Sequence, residues 1–153
     1  GLHLIFGAPD ETTDDAIEAA LACNRLPISN VKLHHLHVLK NTPLADEYQQ
    51  GRFQPLTLEE YSLCVSLFLR HLRPDIFVHR LAAFSSRWEE LIAPSWTSDK
   101  MGSHQKIVDD LRATKNYQSK DYVTSSALLR SLQIQLSENV DFLDQSKDNN
   151  LQI

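Results

Sequence analysis

The sequence predicts an α/β chain built on parallel strands. Three features carry that expectation. A short apolar run, Leu2-His3-Leu4-Ile5-Phe6, is stopped by Gly7-Ala8-Pro9, as a buried strand would be. Ala16, Ile17, Ala20, Leu21 and Cys23 then recur at helical spacing, and a second strand-like run, Val31 to Val38, follows. Strand, helix and strand in so short a stretch form a βαβ unit, whose strands lie parallel with a right-handed crossover. A third run, Ile76 to Leu81, comes after a longer helical stretch and extends the alternation.

Each element has its own signals. Thr12 or Thr13 caps the first helix, Asp14 and Asp15 favour its first turn, and Leu26-Pro27 ends it near Arg25. After Val38, Leu39 to Asn41 is loop. Thr42-Pro43 opens a short helix through Leu44 and Tyr48 that closes at Gly51. Thr57-Leu58-Glu59-Glu60 is a capping box. The helix it opens has a broad apolar face (Tyr61, Cys64, Val65, Phe68, Leu69, Leu72) and ends at Pro74. Residues 82–103 read as irregular, and Gln105 to Lys115 as a helix through Ile107, Val108 and Leu111. From Ser125 the chain turns rich in Ser, Gln, Asn and Asp but keeps Leu129, Leu132, Leu136 and Leu143 near heptad spacing. That predicts an amphipathic helix and a disordered end, Lys147–Ile153.

Composition narrows the function classes. The 153 residues carry 42% hydrophobic and 23% charged side chains, ordinary for one globular domain. A net charge of −5 argues against a general nucleic-acid binder, which wants a basic surface. Cys23 and Cys64 are far apart and belong to no CxxC or CxxxCxxC pattern, so they suggest buried thiols in a reducing cytoplasm rather than a cluster site. No apolar run approaches the roughly 20 residues of a membrane span. Gly-Lys-Ser/Thr, Gly-x-Ser-x-Gly and His-Glu-x-x-His motifs are absent, which sets aside P-loop and common hydrolase readings. The sequence opens on Gly1 and runs straight into the first apolar stretch, suggesting that partners of that strand lie outside it.

The polar residues inside the second strand are the best functional clue. Side chains alternate across a strand, so Val31 and Leu33 take one face and Lys32 and His34 the other. In a β/α layer the face under the helices is apolar, so Lys32 and His34 should point inward, with Leu36 and Val38 further along. His3, Ile5 and Gly7 take the inward face of the first strand. His35 and His37 then face the helix layer or the exit loop. Two readings stand: core histidines satisfied by the backbone, or pocket groups, the second favoured by Lys32 because a buried ammonium needs a partner or ligand. His35 and His37 share a face, and imidazoles bind metals, but no nearby Asp, Glu or Cys completes a set. Gly7 reads either as a turn needing positive φ or as a close approach for a ligand. Arg80 could clamp a carboxylate or phosphate, or pair at the surface. Trp88 and Trp96 could stack on a ring or close the end of the sheet.

The stretches His3-Leu4-Ile5-Phe6-Gly7-Ala8-Pro9, Lys32-Leu33-His34-His35-Leu36-His37-Val38, His79-Arg80-Leu81 and Ala93-Pro94-Ser95-Trp96 resemble the later strands of the YhcC-type radical S-adenosylmethionine proteins. These are related to elongator-type radical enzymes and to oxygen-independent coproporphyrinogen oxidase. The likeness runs from Leu2 to about Tyr122, and the Lys-x-His-x-Leu-His-Val strand is its most specific piece. It implies a partial (β/α) barrel over residues 1–122 with a helical or disordered tail over 123–153. In the parent enzyme it implies S-adenosylmethionine and a 4Fe–4S cluster, together generating a 5′-deoxyadenosyl radical. Gly7, Leu36, His37 and Val38 would line the adenosyl end of the pocket, and Lys32, His34 and Arg80 would face cofactor or substrate. The cluster cysteines and about the first four strands are not in this sequence, and the family's usual Pro is His35 here. The implied partner is therefore the missing N-terminal half of the barrel, and the chain alone is expected to be inactive. The related branches suggest RNA-base modification, such as of a tRNA wobble uridine. The rival reading is a noncatalytic half-barrel module that docks on itself or a partner through its leucine-striped tail, with no membrane involved.

Overall fold

The structure, a computed structural model, describes residues 1–124, and its compact unit spans Gly1–Asp121. The tail helix expected from Ser125 and the end expected to be disordered lie outside the described residues. The unit begins with β1 (Leu2–Phe6), α1 (Thr13–Arg25) and β2 (Asn30–His35). β1 pairs in parallel with β2, from Leu2 opposite Val31 to Phe6 opposite His35. α1 is fixed at its start by Asp15, whose carboxylate accepts from the Thr12 backbone N–H and hydroxyl at 2.7 and 2.9 Å. It ends before Leu26-Pro27 because the residue before a proline avoids helical angles.

β3 (Val38–Leu39), α2 (Pro43–Gln49), α3 (Leu58–His71) and β4 (Phe77–Arg80) follow. Gly51, after α2, has φ +71°, the left-handed turn glycine takes without strain. At α3 the Glu60 N–H donates to Thr57 Oγ1 (3.2 Å) and the Thr57 N–H returns to Glu60 Oε2 (2.8 Å). β4 lies on the other side of β2, also parallel, giving the order β1-β2-β4. β5 (Leu91–Ala93) and α4 (Lys100–Ala113) complete the unit.

Three sequence expectations are corrected. The second strand does not run to Val38. It stops at His35; the Leu36 N–H still donates to Phe6 O (2.9 Å), but His37 turns back onto His35, and Val38-Leu39 pairs antiparallel with β5 instead. The alternation therefore does not carry Leu36 and Val38 onto the face of Lys32 and His34. The segment 82–103 is not wholly irregular, since it holds β5 and two short 3-10 turns, Trp88–Glu90 and Ser95–Ser98. α4 begins at Lys100 rather than Gln105, because the Asp99 carboxylate accepts the Gly102 N–H at 2.9 Å and caps it early.

The main core lies on one side of the sheet. Phe6, Val31 and Leu33 pack with Ala16, Ala20 and Cys23 of α1 and with Tyr61, Val65 and Phe68 of α3. The Phe6 ring meets Phe68 and Tyr61 at tilted angles, with centroids 5.7 and 6.4 Å apart. Tyr61 is enclosed, and its hydroxyl donates to Leu81 O at 2.6 Å, which anchors the chain just past β4. A second, smaller cluster joins Val38, Ala45, Phe53 and Ala93.

Candidate functional site

The other face of the three-stranded sheet is bare. Ile5 is 53% exposed and Phe77 72%, while His3, Lys32, His34 and Arg80 lie among them. Register explains the grouping: His3 pairs with Lys32, Ile5 with His34, and Lys32 with Arg80. Arg80 reaches this face through an irregularity. Val31 pairs with Val78 and Lys32 with Arg80, so His79 is an extra, unopposed residue. Such a bulge shifts the alternation by one. Without it Arg80 would share the core-facing side of Val78.

Electrostatics then organise the group. The His34 ring stacks on His3 with centroids 5.3 Å apart, and the Arg80 guanidinium donates to His34 Nε2. Burial, followed by Arg80, His3, His37 and Lys32, holds the His34 pKa below the usual imidazole value. A neutral ring is what can accept from a guanidinium. No carboxylate pairs with Lys32 or Arg80 among the described residues. Two cations beside a neutral imidazole can take up an anionic group by charge-assisted hydrogen bonds.

The residues expected at the adenosyl end occupy a different place, at the carboxyl ends of β1 and β2. Gly7 has φ +92°, and its N–H donates to Glu11 Oε2 at 2.8 Å. A Cβ there would stand 2.9 Å from Leu56 Cγ, so Leu56 already fills the space that the missing side chain leaves. Leu36 is half-buried against the small cluster, and Val38 is fully enclosed within it.

His37, expected to face the helices or the exit loop and, by the resemblance, to line the adenosyl end, belongs to a network around buried His35. His35, 3% exposed, stands between Tyr61 and Trp96 with ring centroids 5.1 and 4.1 Å away. Its Nε2 lies 2.7 Å from Thr97 Oγ1 and 2.8 Å from His37 Nε2. His37 also bonds to the backbone of Ala83. The arrangement that satisfies most groups has His37 donating to Ala83 and accepting from His35. His35 Nδ1 is buried with no hydrogen-bond partner. Burial, with a smaller push from His37 and His34, drives the His35 pKa down to about 3, and burial also lowers that of His37. Trp96, expected either to stack on a ring or to close the end of the sheet, is half-buried and donates its indole N–H to Leu56 O at 3.0 Å. Trp88 is 72% exposed. Thr97 had no signal in the sequence, because only the 3-10 turn over Ser95–Ser98 brings its hydroxyl to His35.

No group of three or more His, Cys, Asp or Glu residues is placed to hold a metal ion among the described residues. Cys23 and Cys64 are both buried, and burial pushes the Cys64 thiol up to about 11, away from the thiolate an iron–sulfur cluster requires. A larger cavity, about 350 Å³, lies at the outer edge of β1, between α1 and α3. Its polar rim of Glu11, Asp15 and Glu60 is acidic, unlike the bare face.

Fold and site together define a parallel α/β segment with one sealed and one open, basic face. The chain belongs to the Radical_SAM C-terminal domain family, whose profile matches residues 28–113. It is similar to the C-terminal portion of YhcC-type proteins. Uncharacterized protein YtqA of Bacillus subtilis is 32% identical over 118 residues, covering 77% of this chain and 36% of that protein. Protein YhcC of Escherichia coli is 32% identical over 98 residues, covering 64% and 31%. The chain thus spans about a third of the length of these curated relatives. The fold is also similar to that of the archaeal Methanocaldococcus infernus Elp3, with a TM-score of 0.60 at 14% identity over 76% of this chain and 27% of that one. That likeness concerns the fold alone.

Proposed function

We propose that this chain supplies the last strands of the (β/α) barrel of a radical S-adenosylmethionine enzyme, with the bare sheet face turned toward cofactor and substrate. The observation that carries the reading is the sheet's asymmetry. One face is sealed by α1 and α3; the other presents Lys32, Arg80 and a neutral His34 between exposed Ile5 and Phe77. Three strands cannot close a barrel, so the remaining wall comes from chain outside the described residues.

The 4Fe–4S cluster does not fit this chain's buried cysteines. S-adenosylmethionine fits better. Lys32 and Arg80, which pair with no carboxylate among the described residues, offer cations for its carboxylate, and neutral His34 holds the guanidinium in place while its stack on His3 limits ring rotation. When bound in the parent enzyme, the cofactor supplies the adenosyl group that takes a hydrogen atom from the substrate. Exposed Phe77 and Ile5 would exclude water once the rest of the wall covers them.

The test uses the parent protein, reconstituted anaerobically with iron and sulfide and assayed for S-adenosylmethionine binding and release of 5′-deoxyadenosine. Lys32→Met and Arg80→Met should each weaken binding by about tenfold, as loss of one charge-assisted hydrogen bond implies, while leaving the unfolding midpoint near the parent's. A parent with no cluster absorbance would sink the reading, as would two variants that bind and turn over normally.

A further inference from the structure

Beyond the carboxyl ends of β2 and β4, the chain from Phe84 to Lys100 folds over a cavity of about 230 Å³, apart from the bare sheet face. It is walled by Phe84, Trp88, Leu91, Thr97, Ser98 and Lys100. In open parallel sheets this end of the strands is where ligands bind. We propose that the cavity binds a planar ring carrying an anionic group.

The ring is argued from the walls. Trp88 is 72% exposed, an unusual position for the largest apolar side chain, and it lines the cavity with half-buried Phe84. Exposed aromatic faces beside a cavity are stacking platforms. The size agrees: whole drug-sized ligands occupy pockets of roughly 300–1,000 Å³, so this smaller space takes one ring system and leaves the rest of the ligand outside.

The anionic group is argued from Lys100. Its Nζ stands 5.8 Å from the Phe84 ring centroid, and no carboxylate pairs with it among the described residues. Of the acids close to it in sequence, Asp99 accepts the Gly102 N–H, and Glu90 is paired with Arg87. Two of the cavity's hydroxyls are engaged as well, Thr97 with His35 Nε2 and Ser98 donating to Ser95 O at 2.8 Å. The ammonium is left to meet the charge of an incoming ligand. Because Thr97 hangs on His35, the cavity's inner wall is positioned by the same buried network that ends β2. None of this depends on the bare sheet face holding a cofactor.

Nucleotides are the probes, since they join a ring to an anion, either free or within a strand. The sequence has two tryptophans, so the full chain labelled with nitrogen-15 shows one indole signal from Trp88 and one from Trp96. Trp96 is the internal control, because its indole N–H is held by Leu56 O. Adenosine and uridine 5′-monophosphates should shift the Trp88 signal saturably and leave Trp96 unmoved, with the nucleosides weaker and inorganic phosphate without effect. Lys100→Met should weaken nucleotide binding about fivefold or more, as loss of a charge-assisted hydrogen bond implies. By calorimetry, Trp88→Leu should remove it. Tighter binding of a short single-stranded RNA than of either monophosphate would assign the ring and anion to a strand; equal or weaker binding would assign them to a free nucleotide. The proposal is overturned if Trp88 does not shift at millimolar nucleotide, if phosphate alone reproduces the shift, or if Lys100→Met binds as the wild type does.

Discussion

His35 makes the chain sensitive to mild acid, and the size of the effect follows from its surroundings. The ring is enclosed by Tyr61 and Trp96, faces His37 and Thr97, and has no acid beside it among the described residues, so charging it in place is unfavourable. Its pKa is about 3 in the fold and 6.5 for the ordinary imidazole. Between those values the unfolded chain binds the extra proton, so stability rises with pH and is lost as pH falls from about 6.5 toward 3. From pH 7 to pH 5 the loss is about 2 kcal/mol by the two-state linkage relation, which moves a urea midpoint by about 1 M at a slope near 2 kcal/mol per molar. His37 and His34 also have lowered pKa values and add in the same sense. The carboxylates with lowered values, Asp15, Glu47, Glu90 and Asp110, act in that direction too, but below the ordinary carboxylate range and so mostly under pH 5. The assay is urea unfolding followed by circular dichroism at pH 7, 6 and 5, for the wild type and His35→Phe. The variant starts lower at pH 7 because it strands the Thr97 hydroxyl, but it should lose most of the pH slope. An unchanged slope in His35→Phe would refute the reasoning, because the proton would then be binding elsewhere.

Two further perturbations separate the two faces of the sheet and test its end. Leu33→Ala removes a fully enclosed side chain and should cost about 2–5 kcal/mol in denaturant unfolding, whereas Ile5→Ser on the bare face should stay within about 0.5 kcal/mol. Gly7→Ala should cost about 1–3 kcal/mol, since a Cβ at φ +92° is strained and would also meet Leu56. A Gly7→Ala protein as stable as the wild type would show that β1 can end another way.

The sequence reveals the parallel frame because periodicity and punctuation agree there. Apolar alternation in β1 and β2, the Thr57–Glu60 box and the helix-ending Leu26-Pro27 are local signals, and local signals survive into the fold. Lys32 and His34 were legible as a pair for the same reason. What was not legible depends on contacts across the chain. Residues 38–39 read as strand or loop on their own, and only the distant Leu91–Ala93 pairs with them. Thr97 lies 62 positions from the histidine it bonds, and Lys100 gains its role from a Phe84 ring that no spacing rule connects to it.

Arg80 reaches the bare face for a reason that the sequence does not display. The sequence places it near the end of a strand, where a clamp for an anion is reasonable, but strict alternation from core-facing Val78 would turn it into the helices. It reaches Lys32 and His34 only because His79 is left unopposed in the ladder. The bare face is therefore one residue away from lacking its guanidinium. A bulge beside a candidate site re-aims a side chain, at the cost of one unpaired ladder position. That asymmetry gives the basic face a marker in the backbone as well as in side-chain type. The two surfaces identified here also differ in how they are built. The sheet face relies on rigid strands and one bulge, whereas the Trp88–Lys100 cavity relies on a loop fixed by Thr97 and Trp96. Loosening the His35 network should therefore disturb the cavity first and leave the spacing of Lys32, His34 and Arg80 intact.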